Sequence, residues 1–316
     1  MKHIIVITPI KHLHNVYQEL EKLGKIYYHP YISKTELSIF LKENQQIEYL
    51  FTNPNKQGFK LNKEILDNTN IKVINTASTG LNHIDLVYCE NNNIKVWSLT
   101  KDYELINDLP STSELGFGLM INLLRKIPQS FESVKQYEWN YEPFVGRQIK
   151  GLTIGIIGFG RLGKIMANFS YHFGMKVLIY DPYVSLENIN KNYIKVNLEE
   201  LKECDVISLH VHVMEGTKYM INKDFIKNMK PFYLINTSRG EIVNENDVIE
   251  GIKEGNIMGY GTDVLESEFN SIKDDELIKM AEENYNIIIT PHIGGMSIEG
   301  QNKAYMWAAK KFLNFN

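Results

Sequence analysis

The feature that most constrains this chain is Gly155-Ile156-Ile157-Gly158-Phe159-Gly160-Arg161-Leu162-Gly163, closed by Asp181 at the end of the next apolar run. Leu152 to Ile157 is short and almost uniformly apolar, as a parallel strand buried on both faces reads. A segment of helical period, Lys164 to Phe173, follows, and Lys176 to Tyr180 reads as the next strand. Strand, glycine turn, helix, strand and acidic residue is the order in which this glycine spacing signals a dinucleotide rather than a bare turn. Gly158 permits the tight turn, Gly160 lets backbone approach a pyrophosphate, and Gly163 lets helix and strand pack closely. The pyrophosphate would meet exposed N–H groups at the positive end of the helix dipole. Asp181 follows at roughly the 20-residue spacing at which a carboxylate accepts the ribose hydroxyls and repels a 2′-phosphate. The expected cofactor is therefore NAD.

At 316 residues and 43% hydrophobic, the chain is long enough for a substantial core and about two domains. A net charge of -4 gives no electrostatic case for nucleic acid. Cys89 and Cys204 show no metal spacing and read as reduced thiols of a cytoplasmic protein. The basic start, Met1 to Ile10, has too short an apolar run for a signal segment, and no stretch approaches a membrane span.

The first hundred residues alternate apolar runs with segments of helical period. The runs are His3 to Ile7, Lys25 to Tyr28, Tyr49 to Thr52, Lys72 to Thr76 and Lys95 to Leu99; the helical segments are Asn15 to Leu23, Lys34 to Glu43 and Ile84 to Asn91. Such alternation predicts an α/β domain with a mostly parallel sheet. Ligands of such sheets bind beyond the strand C-termini, which singles out Asn53-Pro54-Asn55-Lys56 and Ala77-Ser78-Thr79-Gly80. The second loop can present backbone N–H groups to an anion, although ordinary turn residues read the same way. Ser111 and Glu114 have capping-box spacing, and an apolar helix continues to Leu124, suited to a core or a subunit interface. A more polar stretch, Gln129 to Lys150, leads into the glycine turn.

Beyond Asp181, runs at Asp205 to Leu209, Tyr233 to Asn236 and Ile287 to Thr290 deliver His210, Thr237-Ser238-Arg239-Gly240 and Pro291-His292. Gly259 to Val264 delivers Asp263 and leads on to Glu268. Taken singly, Arg239 is equally a helix-start arginine, Glu268 a solvated loop acid and His292 a turn residue. His12/His14 and His210/His212 have a spacing that sets two ligands on one strand face, but no third ligand accompanies either pair, so no metal is expected.

Taken together, Gly158 to Gly163, Asn236-Thr237-Ser238-Arg239-Gly240, Gly259 to Glu268 and Thr290-Pro291-His292-Ile293-Gly294-Gly295 resemble the successive signatures of the D-isomer-specific 2-hydroxyacid dehydrogenase family. The resemblance runs in order over essentially the whole chain and includes Ser78-Thr79-Gly80-Leu81-Asn82-His83-Ile84-Asp85. It implies two Rossmann-like doubly wound parallel-sheet domains with the active site in the cleft between them. Residues 1–100 would form the substrate domain, completed by a C-terminal helix over 297–316, and residues 101–296 the NAD-binding domain.

The same resemblance implies that Arg239, Glu268 and His292 are catalytic. Arg239 would pair with the substrate carboxylate and polarise the adjacent oxygen, a task for a planar donor that stays charged. His292 would exchange a proton with that oxygen while hydride passes between substrate C2 and the nicotinamide. Glu268 would orient the imidazole and favour its protonated form. Arg161 and Leu162 would offer N–H groups to the phosphates, and His210, Val211, Thr237 and Ser238 would line the cofactor. Asp263 would meet the nicotinamide side, with Gly294 and Gly295 close by. Backbone groups of Ser78, Thr79 and Gly80 would take the rest of the carboxylate. The implied partners are a small 2-hydroxyacid or 2-oxoacid and a second copy, in a homodimer through the helix near Thr112.

Departures from the family pattern bear on the substrate. His212 stands where relatives usually carry proline, and Phe269 follows Glu268 where proline is usual. The Thr52 to Lys56 stretch lacks the arginine usual in phosphoglycerate dehydrogenases, which puts a phosphorylated substrate in doubt, although Lys56 or Lys60 is a partial substitute. With the sequence ending at Asn316, the C-terminal regulatory domain of some of those enzymes is not expected. The resemblance also extends to corepressors that use this fold to assemble partners, so the alternative is an NAD-sensing interaction protein, separated by whether turnover exists. A formate-type enzyme would place glutamine at Glu268; phosphite oxidation is left open by the three residues alone.

Overall fold

The computed structural model describes residues 1–54, 58–268 and 272–312. Asn55, Lys56, Phe269 and the expected helix end at Leu313 to Phe315 lie outside the described residues. The chain forms two compact units, one of residues 1–109 with 296–316 and one of residues 110–295.

In the first unit, β1 (Lys2–Val6), β2 (Gly24–Tyr28), β3 (Tyr49–Thr52), β4 (Val73–Thr76) and β5 (Lys95–Trp97) pair in the order β2-β1-β3-β4-β5, all parallel. The two-residue period of a strand divides β1 cleanly. Ile4 and Val6 pack on one face with Tyr49, Phe51 and Val73, while Ile5 packs on the other with Leu50, Ile74, Leu37 and Leu41. The helix Lys34–Glu43 covers the latter face and begins in a capping box between Ser33 and Glu36. The former face is covered by helix Val16–Glu21 and by the C-terminal helix Ile298–Lys311, which buries Ala304, Tyr305, Ala308 and Ala309, with Phe312 just beyond. Burial of a side chain the size of Phe312 stabilises by ~1.5–3 kcal/mol. The boundary expected at residue 100 falls inside this unit, because Leu99 and Leu105 belong to its core and Leu109 packs against it.

In the second unit, β6 (Thr153–Ile157), β7 (Lys176–Tyr180), β8 (Ile194–Lys195), β9 (Val206–Leu209), β10 (Phe232–Asn236), β11 (Ile257–Thr262) and β12 (Ile287–Ile289) form a parallel sheet. Its order is β12-β11-β10-β9-β6-β7-β8. The order reverses between β6 and β9, the kind of point at which doubly wound sheets bind ligands beyond their strand ends. Ile154, Ile156, Val177, Ile179 and Ile235 meet helices Ser111–Arg125 and Arg161–His172 on one face; Ile157, Ile207, Leu234 and Phe232 pack on the other.

Two local expectations are corrected. Ser111 does not form a capping box: the helix starts at Ser111 itself, with Pro110 in helical geometry at the cap and no side-chain cap bond. Proline's fixed φ pre-forms that first turn, so the start falls one residue earlier than the spacing suggests. The polar lead-in expected from Gln129 contains a further helix, Ile127–Lys135. No helix among the described residues is long and apolar enough to cross a membrane.

Candidate active site

The glycine turn joins β6 to helix Arg161–His172, which starts three residues before the helical period becomes visible in the sequence. Gly158 sits at φ 91°, and a Cβ there would lie 2.5 Å from the His210 carbonyl oxygen, so β6 and β9 run into adjoining turns that tolerate no side chain. A Cβ on Gly163 would lie 2.1 Å from the Gly158 carbonyl oxygen, which seats the helix directly on the turn; Met166, Ala167 and Ser170 continue that buried stripe. Beside Gly160 nothing lies within 4 Å of where a Cβ would be. Asp181, just past β7, accepts the Phe159 N–H and the Tyr183 N–H, each at 2.8 Å, one on each carboxylate oxygen. Each oxygen keeps acceptor capacity for a hydroxyl.

Two buried polar atoms at the adjoining strand ends have no protein partner among the described residues: Nδ1 of His210 and Oγ1 of Thr237. Burial drives the His210 pKa down to about 4, so the ring is neutral at ordinary pH, with Nε2 paired to the Ser208 hydroxyl at 2.9 Å. Buried polar groups want partners. The small cradle at Gly160, the start of a twelve-residue helix, the Asp181 carboxylate and these two unpaired atoms fit a dinucleotide with a free ribose diol.

Arg239 follows β10 in a turn held from inside. Asn236, fully buried, donates to the Arg239 carbonyl at 2.9 Å and accepts the Ser238 N–H at 3.0 Å, while the Ser238 hydroxyl donates to the Leu209 carbonyl at 2.8 Å. Nη1 of Arg239 donates to the Ser238 carbonyl at 2.6 Å, which leaves the rest of its planar fork for another group. A Cβ on Gly240 would lie 2.4 Å from the Glu266 nitrogen, so the Arg239 turn and the Leu265-to-Glu268 turn touch backbone to backbone. Glu268 in turn accepts from, or pairs with, His292: Oε2 and Nδ1 are 3.0 Å apart, with the Glu268 side chain 17% exposed and that of His292 47%. His292 adopts φ 55°, a left-handed geometry uncommon outside glycine and often found where function fixes a side chain.

Asp263 has a task that the sequence did not disclose. It is 2% exposed, and its Oδ1 accepts the Thr290 hydroxyl and the Ile293 N–H (2.8 Å) while Oδ2 accepts the Gly294 N–H at 2.7 Å. Burial raises its pKa, opposed by these three bonds. Asp263 therefore clamps the turn that follows His292, and Gly294 lies so close to Thr112 that a Cβ would sit 3.0 Å from its methyl carbon. Gly295 follows in the same turn. Asp263 thus acts at long range, on partners 27 to 31 residues away, whereas Asn236 holds its own turn through the residues two and three further on.

Within the first unit, the loop after β4 has its carbonyls engaged. The Ser78 carbonyl accepts the Leu99 N–H at 3.0 Å, the Thr79 carbonyl the Thr100 hydroxyl at 2.9 Å, and the Gly80 carbonyl the Ser78 hydroxyl at 2.8 Å. Thr76 bridges Ser78 and His83 at 2.9 and 3.0 Å. Burial lowers the His83 pKa to about 4 and keeps that ring neutral. Elsewhere, His12 pairs with Gln301, His14 lies against Asn15, and no group of three or more His, Cys, Asp or Glu among the described residues could hold a metal ion. Both cysteines are free and buried.

Comparison with known proteins gives matching family descriptions for both units. Residues 117–294 match "D-isomer specific 2-hydroxyacid dehydrogenase, NAD binding domain", and residues 5–103 match the catalytic domain of the same family. The chain is 33% identical over 251 residues to a hydroxypyruvate reductase of Thermotoga maritima, covering 78% of this chain and 79% of that protein. It is 35% identical over 269 residues to a glyoxylate reductase of Thermococcus litoralis, covering 81% and 77%. Among solved structures, a D-lactate dehydrogenase of Aquifex aeolicus complexed with NAD and lactic acid superposes with a TM-score of 0.78 at 29% identity, over 98% of this chain and 94% of that one.

Proposed function

The chain belongs to the D-isomer-specific 2-hydroxyacid dehydrogenase family, is an NAD-dependent oxidoreductase, and on that premise we propose which residues do the chemistry and on what substrate. The reading is a reduction of a small, unphosphorylated 2-oxoacid of the glyoxylate or hydroxypyruvate kind to the D-2-hydroxyacid, and its reverse. The observation that carries it is the His292–Glu268 pair at 3.0 Å, joined through the Gly240 contact to the turn that bears Arg239.

The cofactor supplies or accepts the hydride at substrate C2. Arg239 binds the substrate carboxylate and draws charge from the neighbouring oxygen, with its orientation fixed by the Ser238 carbonyl. His292, whose Nδ1 is held by Glu268, has Nε2 left to give a proton to that oxygen in reduction and to take it back in oxidation. An oriented acid of this kind contributes roughly 10² to 10⁴ in rate. On the cofactor side, N–H groups of Arg161 and Leu162 meet the phosphates, Asp181 the ribose hydroxyls, and His210, Val211, Thr237 and Ser238 the remaining surface. Asp263, Gly294 and Gly295 are assigned to the nicotinamide end, Asp263 by holding the turn. The Ser78, Thr79 and Gly80 loop, its carbonyls already bonded, offers N–H groups to the carboxylate.

The substrate class rests on the names of the two relatives above and on a first-unit loop in which Thr52, Asn53 and Pro54 carry no arginine for a phosphate. The proposal extends to the cytoplasm and to a homodimer. Ile127, Phe131 and Val134, with Trp139, Tyr141 and Val145 beyond, leave apolar surface exposed on the second unit, and a sedimentation mass of one chain would remove the dimer. Activity is tested with NADH and a panel of glyoxylate, hydroxypyruvate, pyruvate, 2-oxoglutarate and 3-phosphohydroxypyruvate. Turnover of the first two ahead of the phosphorylated acid is expected. NADH binding with no turnover of any member would favour the NAD-sensing interaction protein instead.

A further inference from the structure

We infer that Glu245 is a positioning residue for catalysis: its carboxyl holds the Glu266 N–H, and through it the turn that presents Glu268 to His292. The inference rests on the proposed roles of Glu268 and His292.

Glu245 opens the helix Glu245–Lys253, which begins shortly after the Gly240–Ile242 turn next to Arg239. Because Gly240 lies backbone to backbone against Leu265 and Glu266, the Glu245 side chain reaches from the arginine's segment to the glutamate's, and its Oε1 accepts the Glu266 N–H at 2.8 Å. The next bonds run along the same turn. The Glu266 carboxylate accepts the Tyr219 hydroxyl, and the Ser267 hydroxyl donates to Asp275 at 2.7 Å. Tyr219 is itself pinned at φ 52° with its N–H on the Glu241 carbonyl at 2.9 Å. Residues 266 and 267 are thus tied on three sides, and the residue that follows them is the one that meets His292.

The surroundings of Glu245 are acidic. Glu241 faces it from the preceding turn, Glu266 from the tethered loop and Asp275 from the start of helix Glu276–Glu282, with the Tyr260 ring beside it from β11. Partial burial and then these like charges push its carboxyl up to about 7, against the pull of the Glu266 N–H. The folded value lies above the ordinary carboxylate value of 4.5, so the associated stability is complete at acid pH and is lost as pH rises through about 7. Near neutral pH Glu245 is therefore only partly ionised, and it holds the loop while adding less than a full fourth negative charge to Glu241, Glu266 and Asp275.

The test compares wild type, Glu245→Ala, Glu245→Asp and Glu245→Gln by kcat against pH in the reduction direction, with NADH binding measured alongside. In Glu245→Ala the Glu266 N–H loses its acceptor, and kcat should fall by about ten- to a hundredfold, the scale of a small misplacement, while NADH affinity stays. The alkaline limb of the profile, set in this reading by loss of the His292 proton, should move to lower pH. Glu245→Gln keeps an acceptor oxygen and should restore both kcat and the limb. Where Glu245→Ala does not fold, Glu245→Asp decides, since it keeps the acid and shortens its reach: the same limb shift supports the role and an unmoved limb overturns it. A lower melting temperature with wild-type kcat and limb in these variants also overturns it. His292→Ala and Glu268→Gln separate the two levels: if they leave turnover intact, the underlying reading fails and this inference with it; if they abolish turnover while the Glu245 variants match wild type, only the role of Glu245 falls.

Discussion

Asp263→Asn changes one atom of a buried clamp and its consequence can be worked from the geometry. The carboxylate accepts three bonds, two on Oδ1 from Thr290 and Ile293 and one on Oδ2 from the Gly294 N–H at 2.7 Å. Asparagine keeps Oδ1 but sets an NH₂ against the Gly294 N–H, two donors face to face in a site 2% exposed. Flipping the amide does no better: the Thr290 hydroxyl can turn to accept from the NH₂, but the Ile293 N–H then loses its acceptor in place of Gly294. Losing a bond to a charged acceptor costs about 1.5–3 kcal/mol, and the stranded donor adds to it. Gly294 has little room to retreat toward Thr112, whose methyl carbon would lie only 3.0 Å from a Cβ at that position. The strain therefore passes to Ile293 and to His292, already at φ 55°. A displacement approaching 1 Å at a reacting group costs about a hundredfold in rate, so kcat should drop between tenfold and a hundredfold. The assay is steady-state NADH oxidation with glyoxylate or hydroxypyruvate, together with urea unfolding followed by tryptophan fluorescence. Wild-type kcat and an unchanged urea midpoint would refute the clamp.

The other expectations concern single contacts. Asp181→Ala should narrow the preference for NADH over NADPH in paired binding titrations; a wild type without any preference would sink the ribose argument. Arg239→Lys keeps the charge but loses the planar fork, and kcat/KM should fall at least about tenfold with both parameters affected, whereas unchanged kinetics would remove the carboxylate contact.

Parallel strands buried on both faces announce themselves as unbroken apolar runs, which is why β3, β6, β7 and β10 could be read within a residue or two. Two-residue β8 and the short helices Lys63–Leu66, Lys223–Lys227 and Glu276–Glu282 gave no such signal, because fewer than two turns cannot establish a helical period. The start of helix Ser111–Arg125 was misjudged because the Ser111/Glu114 spacing was weighed above the proline before it. Arg239, Asp263, Glu268 and His292 were singled out because each lies at or beyond a strand end in a segment that resembles the family's signatures. What stayed hidden was support at long range. Neither the three bonds made by Asp263 nor the reach of Glu245 to Glu266 has a local spacing, and the left-handed His292 follows a proline that predicts only a turn.

The most direct measurement is the fate of the hydride. Pyruvate or hydroxypyruvate is reduced with NADH deuterated at the transferring position of C4, and the product is resolved on a chiral column, with His292→Ala run in parallel. The account predicts deuterium at C2 of the D-2-hydroxyacid, and a variant at least about a hundredfold slower that still binds NADH normally. An L product, a product without the label, or a His292→Ala enzyme as fast as wild type would contradict it.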